Sequence, residues 1–217
     1  ASDILTAIGD EEALPIAPES VDLAVSLLAL QSVNDLPGTL VQIRRALKPG
    51  GLFLATMLGG ATLVELRAAL VEAEIAVSGG VSPRLSPVAE LRDAASLLQR
   101  AGFALPVADS ERVTATYDDA FRLFADLRAM GETNVMIERP RAPLTRAILA
   151  RAFEIYAERF ADPDGRLRAT FDILTLTGWA PHPDQQKPLR PGSAKMRMAD
   201  ALHTREHSAG EAAPKPP

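Results

Sequence analysis

VDLAVSLLALQSVNDLPGTLVQIRRALKPGGLFLATML, residues 21–58, is the stretch that decides the fold. Its first eight positions are apolar except for Asp22 and Ser26. A near-continuous apolar run of this length fits a strand buried on both faces, as in a parallel sheet. Asn34, Asp35 and Pro37 then open a helix, with Asp35 as N-cap. Leu40, Ile43 and Leu47 recur at helical spacing. Pro49, Gly50 and Gly51 stop the helix, and residues 52–58, LFLATML, read as a second buried strand. Strand, helix and strand in succession make a βαβ unit.

Upstream, residues 4–8 are compatible with a short strand broken by Gly9 and Asp10. Downstream, residues 61–74 form an amphipathic helix with Leu63, Leu66 and Leu70 inward, and GGVSPRLSP (79–87) is a loop. A helix over 88–103 ends at Gly102, and a strand follows at about 113–117. Helices over 120–130 and 144–160 flank the polar loop GETNVMIERPRAP. Residues 169–180, ATFDILTLTGWA, are β-branched and aromatic and read as a further strand. The expected architecture is α/β, with two parallel strands, two later strands closing the sheet, and a helical pair between those last two. The Pro-rich tail 203–217 is expected to be disordered.

Composition narrows the function classes. The 217 residues are 47% hydrophobic and 24% charged, with a net charge of −5, which fits a globular domain. That charge gives no global reason to expect nucleic acid or an anionic membrane. No apolar run approaches a bilayer span, and no basic-then-apolar leader stands at the start. With no cysteine, disulfides, thiolate nucleophiles and zinc-thiolate sites are excluded, and the three histidines (His182, His203 and His207) all lie late. No metal site is expected, and a soluble cytoplasmic protein is the default.

The order of these motifs resembles the class I S-adenosylmethionine-dependent methyltransferases. GDEEALPIAPESVDLAVS is similar to the segment from their third strand to their fourth, and LPGTLVQIRRALKPGGLFLATM to the helix and fifth strand that follow. The LKPGG turn alone is weak evidence. LALQSVNDLPGTL, GGATLVELRAAL, GGVSPRLSP, RDAASLLQRAGF, LRAMGETN, LTGWAPH and GSAKMRM together resemble one branch. That branch holds bacterial relatives of the complex I assembly-factor arginine hydroxylase and, more loosely, the malonyl-carrier-protein O-methyltransferases of biotin synthesis. The resemblance covers most of residues 8–200. It implies a Rossmann-like sheet with its last strand antiparallel and with cofactor across the carboxyl ends of the strands. On this reading residues 1–202 are a partial methyltransferase domain lacking the first strands and the glycine-rich cofactor loop. Residues of about 119–165 are then a helical insert covering the site. The exposed edge of the 21–28 strand is expected to pair with another strand, a dimer being one form of that pairing.

The same resemblance implies roles for individual residues. Asp10 matches the acidic position that accepts a hydrogen bond from the adenine amino group, with the Glu11 backbone N–H reaching a ring nitrogen. The bare alternative is a solvated acidic turn before Pro15. Ser26 and Leu27 stand at the carboxyl end of the strand, where cofactor and substrate meet. Gln31 either offers its amide to substrate or cofactor or is a polar surface residue at a turn. Glu132 and Asn134 follow Gly131 on the insert and are candidate substrate ligands, with Tyr117 and Arg128 beside them; the bland reading is a helix terminus with polar residues beyond it. For Trp179 core packing is the stronger expectation. No catalytic residue is assigned, because methyl transfer from S-adenosyl-L-methionine rests mainly on positioning. The function expected is methyl transfer to a small molecule or a protein-bound group. The alternatives are a hydroxylase or assembly factor for a respiratory complex, or a non-catalytic interaction protein that keeps the fold.

Overall fold

The computed structural model describes residues 6–185, 193 and 196–205. The chain divides into two units, residues 1–182 and 183–217. In the second unit the one described element is a single helical turn, Met198–Ala201. The expected tail falls mostly on residues 206–217, outside the described residues, as do residues 1–5. Thr6 to Ile8 form no strand, and Ile8 is fully exposed.

In the first unit the order is β1 (Val21–Leu27), α1 (Leu36–Ala46), β2 (Leu47–Leu58), α2 (Val64–Ser78), α3 (Leu91–Arg100), β3 (Ala104–Tyr117), α4 (Ala120–Ala129), α5 (Arg146–Phe160) and β4 (Leu167–Trp179). The four strands lie in the order β1-β2-β4-β3. β1 and β2 run parallel, and β4 is antiparallel to both its neighbours, β2 and β3. The final strand is therefore the reversed one, as the resemblance implies. Asp35 caps α1 as expected, its Oδ1 accepting from the Gly38 N–H at 2.9 Å.

Two boundaries differ from the sequence reading. The LKPGG turn does not lie between helix and strand. Leu47 already has extended backbone (φ −72°, ψ 136°), so β2 begins five residues earlier than residue 52. Gly50, at φ +77°, lets the strand bend there without a Cβ penalty. β3 begins at Ala104 rather than at about 113. Its middle, Asp109 to Arg112, is polar and breaks the apolar alternation; the ladder to β4 from Ala104↔Trp179 to Tyr117↔Leu167 makes it one strand.

The two faces of the sheet have different fates. Phe53, Ala55, Met57, Leu174 and Leu176 point to one face and pack against Leu40 and Ile43 of α1 and Ala94 and Leu98 of α3. Phe53 and Phe103 stack there at 5.1 Å between centroids. On the other face, α2, α4 and α5 cover only the end nearest Leu167 and Ala169, in a second core centred on Tyr156, Leu123 and Ile155. The rest of that face carries cross-strand rows, Leu23/Leu52/Trp179 and Val25/Leu54/Thr177/Val107. Leu23, Val25 and Val107 remain 53%, 51% and 57% exposed among the described residues.

Candidate functional site

At the carboxyl ends of β1 and β2 the open face runs under α4 and forms a cleft of about 690 Å³. Leu27, Leu28, Leu58, Phe171 and Ile173 give it apolar walls, and Tyr117, Asp126 and Glu132 are its polar groups. Clefts at the carboxyl ends of parallel strands are where open α/β sheets bind ligands. Leu28 leaves β1 with φ +50°, a left-handed geometry rare for a branched residue, while its N–H donates to the Thr56 carbonyl at 2.9 Å. That turn aims the chain from β1 across the cleft mouth.

Each polar group is held by local structure. Gly131, at φ +82°, ends α4, and the Glu132 N–H returns to the Leu127 carbonyl at 2.8 Å, which turns the Glu132 side chain back toward the strand end. There Gln31 Nε2 donates to Glu132 Oε1 at 2.8 Å and to the Leu28 carbonyl at 2.7 Å. With its nitrogen so committed, Gln31 keeps a buried Oε1 without a partner. The Tyr117 phenol lies beside the Asp126 carboxylate. Burial pushes the Tyr117 phenol up from its ordinary range, and the charge of Asp126 and a hydrogen bond to it raise it further. Tyr117 is therefore a neutral phenol beside a carboxylate.

The structure gathers some expected residues and separates others. Tyr117, Leu27 and Glu132 meet in the cleft, and Gln31 touches it through Glu132. Ser26 points to the opposite face of the sheet, in register with Ala55. Arg128 is exposed on α4 and does not line the cleft. Asn134 turns away and donates to the Pro83 and Arg84 carbonyls at 2.8 and 3.0 Å. Trp179 is half-buried on the open face, in the row of Leu52 rather than of Leu58. Asp126 was missed, because on sequence it is one more acidic residue on a helix surface.

The acidic turn is fixed to α1. Asp10 Oδ1 accepts from the Glu12 N–H at 2.8 Å, leaving Oδ2 for another donor. Glu12 Oε1 accepts from the N–H groups of Asn34 and Asp35, and the Glu11 carbonyl takes the Thr39 hydroxyl. An exposed carboxylate here and an orphaned amide oxygen at the end of β1 fit a ligand with an adenine-type amino group and a second polar donor. No group of His, Cys, Asp and Glu among the described residues forms a metal cluster.

A methyltransferase-domain family model matches residues 3–55. The mitochondrial arginine-hydroxylase NDUFAF5 of Danio rerio is 41% identical over 193 residues, covering 89% of this chain and 60% of that protein. A malonyl-[acyl-carrier protein] O-methyltransferase of Gallionella capsiferriformans (strain ES-2) is 39% identical over 181 residues, covering 82% of this chain and 59% of that protein. The chain spans 43% to 60% of the length of the first curated relatives it matches. In fold, a protein classed as a methyltransferase from Bacillus halodurans C-125 superposes with a TM-score of 0.50 at 16% identity, over 80% of this chain and 70% of that one. In motif order and in its curated relatives, the chain is similar to the class I S-adenosylmethionine-dependent methyltransferases.

Proposed function

We propose that this chain works in S-adenosylmethionine-dependent methyl transfer to a cationic or amine-bearing group, carried by a small molecule or by a protein side chain. The observation that carries this reading is the polar content of the cleft. Two carboxylates, Asp126 and Glu132, and a neutral phenol stand among apolar walls, and among the described residues no Lys, Arg or His lines it. Such a cleft attracts a cation on an apolar stem and repels a free carboxylate. That weighs against a malonyl-type substrate for this chain.

Asp10 and Glu11 would hold the adenine side of the cofactor, and the free Gln31 Oε1 its amino-acid side. When bound, S-adenosyl-L-methionine supplies an activated methyl group on sulfur. This chain's own part is positional. Asp126, beside Tyr117, and Glu132, oriented by Gln31, accept the N–H groups of the substrate and fix the direction of the acceptor atom, while the leucine walls exclude water.

A second reading, hydroxylation of a guanidinium group, is favoured by the same acidic lining and by the 41% identity to a protein named arginine-hydroxylase. The free edge of β1 supports strand pairing with a second copy, which light scattering after size-exclusion chromatography would detect. No helix among the described residues is long and apolar enough to cross a membrane, and a cytoplasmic setting is part of the proposal.

The test is calorimetric titration with S-adenosylhomocysteine, followed by incubation with S-adenosylmethionine and an arginine- and lysine-bearing peptide. Heat of binding and a mass gain of one methylene support methyl transfer. In a parallel incubation supplied with dioxygen and a two-electron reductant, a gain of one oxygen atom, the other leaving as water, supports the second reading. Absence of any heat at high ligand concentration refutes the methyl-transfer reading.

A further inference from the structure

Glu74 of α2 is a buried carboxylate that lies outside the cleft. It is 2% exposed, and its Oε1 accepts from Arg84 Nε and Nη2 at 2.8 and 2.7 Å, while its Oε2 accepts from the Ser82 N–H at 2.8 Å. All three donors belong to the loop of residues 79–87, so this carboxylate ties that loop to α2, where Arg67 also donates to the Ser86 carbonyl at 3.3 Å. The loop in turn offers the carbonyls of Pro83 and Arg84 to Asn134 Nδ2. Asn134 Oδ1 accepts from the Met136 N–H at 3.1 Å, so both ends of its amide are used and its orientation is set.

Two residues before Asn134 stands Glu132, held from the other side by Gln31. The segment that follows is not held by apolar burial: Val135 and Ile137 are 68% and 92% exposed. The Glu132 backbone is held at the end of α4 by the Leu127 carbonyl, and two polar ties hold what the backbone leaves free, one to the end of β1 and one to the loop that Glu74 anchors.

We propose that Glu74 and Arg84 are positioning residues for the cleft carboxylate Glu132, acting through Asn134. The proposal rests on the reading of the cleft as a cation site. A carboxylate held at two points meets a cation without first losing its own freedom, so weakening the far tie lowers affinity although no charge leaves the cleft.

The experiment uses the ¹⁵N-labelled chain, the variant Asn134→Ala and the paired variant Glu74→Met with Arg84→Met, which leaves no unpaired buried charge. The readouts are the side-chain amide resonances of Gln31 and titration with Nα-acetyl-arginine methylamide. In both variants the Gln31 resonances move toward those of Glu132→Ala, and the probe binds roughly tenfold more weakly, the loss expected when a charge-assisted hydrogen bond is partly given up. Gln31 resonances that stay in place overturn the proposal, as does a moved resonance with unchanged probe affinity. A wild-type chain that ignores the probe sinks the cation-site reading, and the Gln31 resonances then decide by themselves whether the tie positions Glu132.

Discussion

Replacing Arg84 by Ala tests how the Glu74–Arg84 pair is built. The two partners are unequally placed: the Arg84 side chain is 17% exposed and that of Glu74 only 3%. Removing Arg84 strands a carboxylate that water cannot reach, with the Ser82 N–H as its remaining partner. Breaking a buried pair in this way costs about 3–5 kcal/mol. Glu74→Met instead leaves a guanidinium that can turn to solvent and a backbone donor without its acceptor, which costs about 1–3 kcal/mol. Domains of this kind are stable by about 5–15 kcal/mol, so Arg84→Ala removes a large fraction. At roughly 2–4 °C per kcal/mol for a chain of this size, the two variants separate clearly in a melt. Urea denaturation followed by far-UV circular dichroism gives the free energies, and the paired Met variant should recover most of the loss. Equal costs for the two single variants, or Arg84→Ala costing under about 1 kcal/mol, would refute the asymmetry on which this rests.

Tyr156 is fully buried and its hydroxyl donates to the Arg168 carbonyl at 2.7 Å, so Tyr156→Phe should cost about 1–2 kcal/mol in the same assay. The chain has two tyrosines, Tyr117 and Tyr156, and both phenols are raised, Tyr156 by burial first and then by the charges of Glu65 and Tyr117. The folded state therefore keeps its phenol protons longer than the unfolded state. Stability should be flat with respect to these groups below about pH 10 and fall above it, by up to about 1.4 kcal/mol per pH unit for each tyrosine. The Tyr156 share of the tyrosinate absorbance should rise only with unfolding; a free titration of Tyr156 near the ordinary range, seen in the Tyr117→Phe variant, would contradict its placement. Gly59→Ala puts a Cβ within 2.7 Å of Leu174 Cγ and 2.9 Å of Asp172 Oδ2, and should cost about 1–3 kcal/mol, read by thermal melting. Asp35→Ala should lose about 1 kcal/mol from the missing cap of α1.

The βαβ core was legible because its signals are local. The apolar runs of β1 and β2, the Asp35 cap and the Leu40/Ile43 spacing each act within a few residues and mark the right elements, although β1 was read as buried on both faces and one face stays exposed at Leu23, Val25 and Leu27. The part of β3 before Val113 was not legible, because its polar middle hides it. Asp109, Ser110, Glu111 and Arg112 carry no apolar rhythm, and the β4 ladder that makes them a strand lies some sixty residues away. The site divides in the same way. Glu132 was singled out by the family resemblance rather than by its own spacing, and the phenol and carboxylate of Tyr117 and Asp126 lie on a strand end and a helix, where no spacing announces them. Asn134 had the right neighbourhood and a different task, since its amide serves the 79–87 loop rather than the cleft.

The open face of the sheet has an optical consequence. Trp179 is the one tryptophan of the chain, and it stands half-buried in the outermost row of that face, beside Leu52 and across from Leu23. Its indole borders solvent on the side that the helices leave bare. Whatever comes to lie there, whether another protein chain, a chaperone or a detergent tail, displaces water from the ring and should move its emission to the blue. The fold thus carries its own fluorescent gauge of whether that surface is wet or covered, and the gauge can be read without a label.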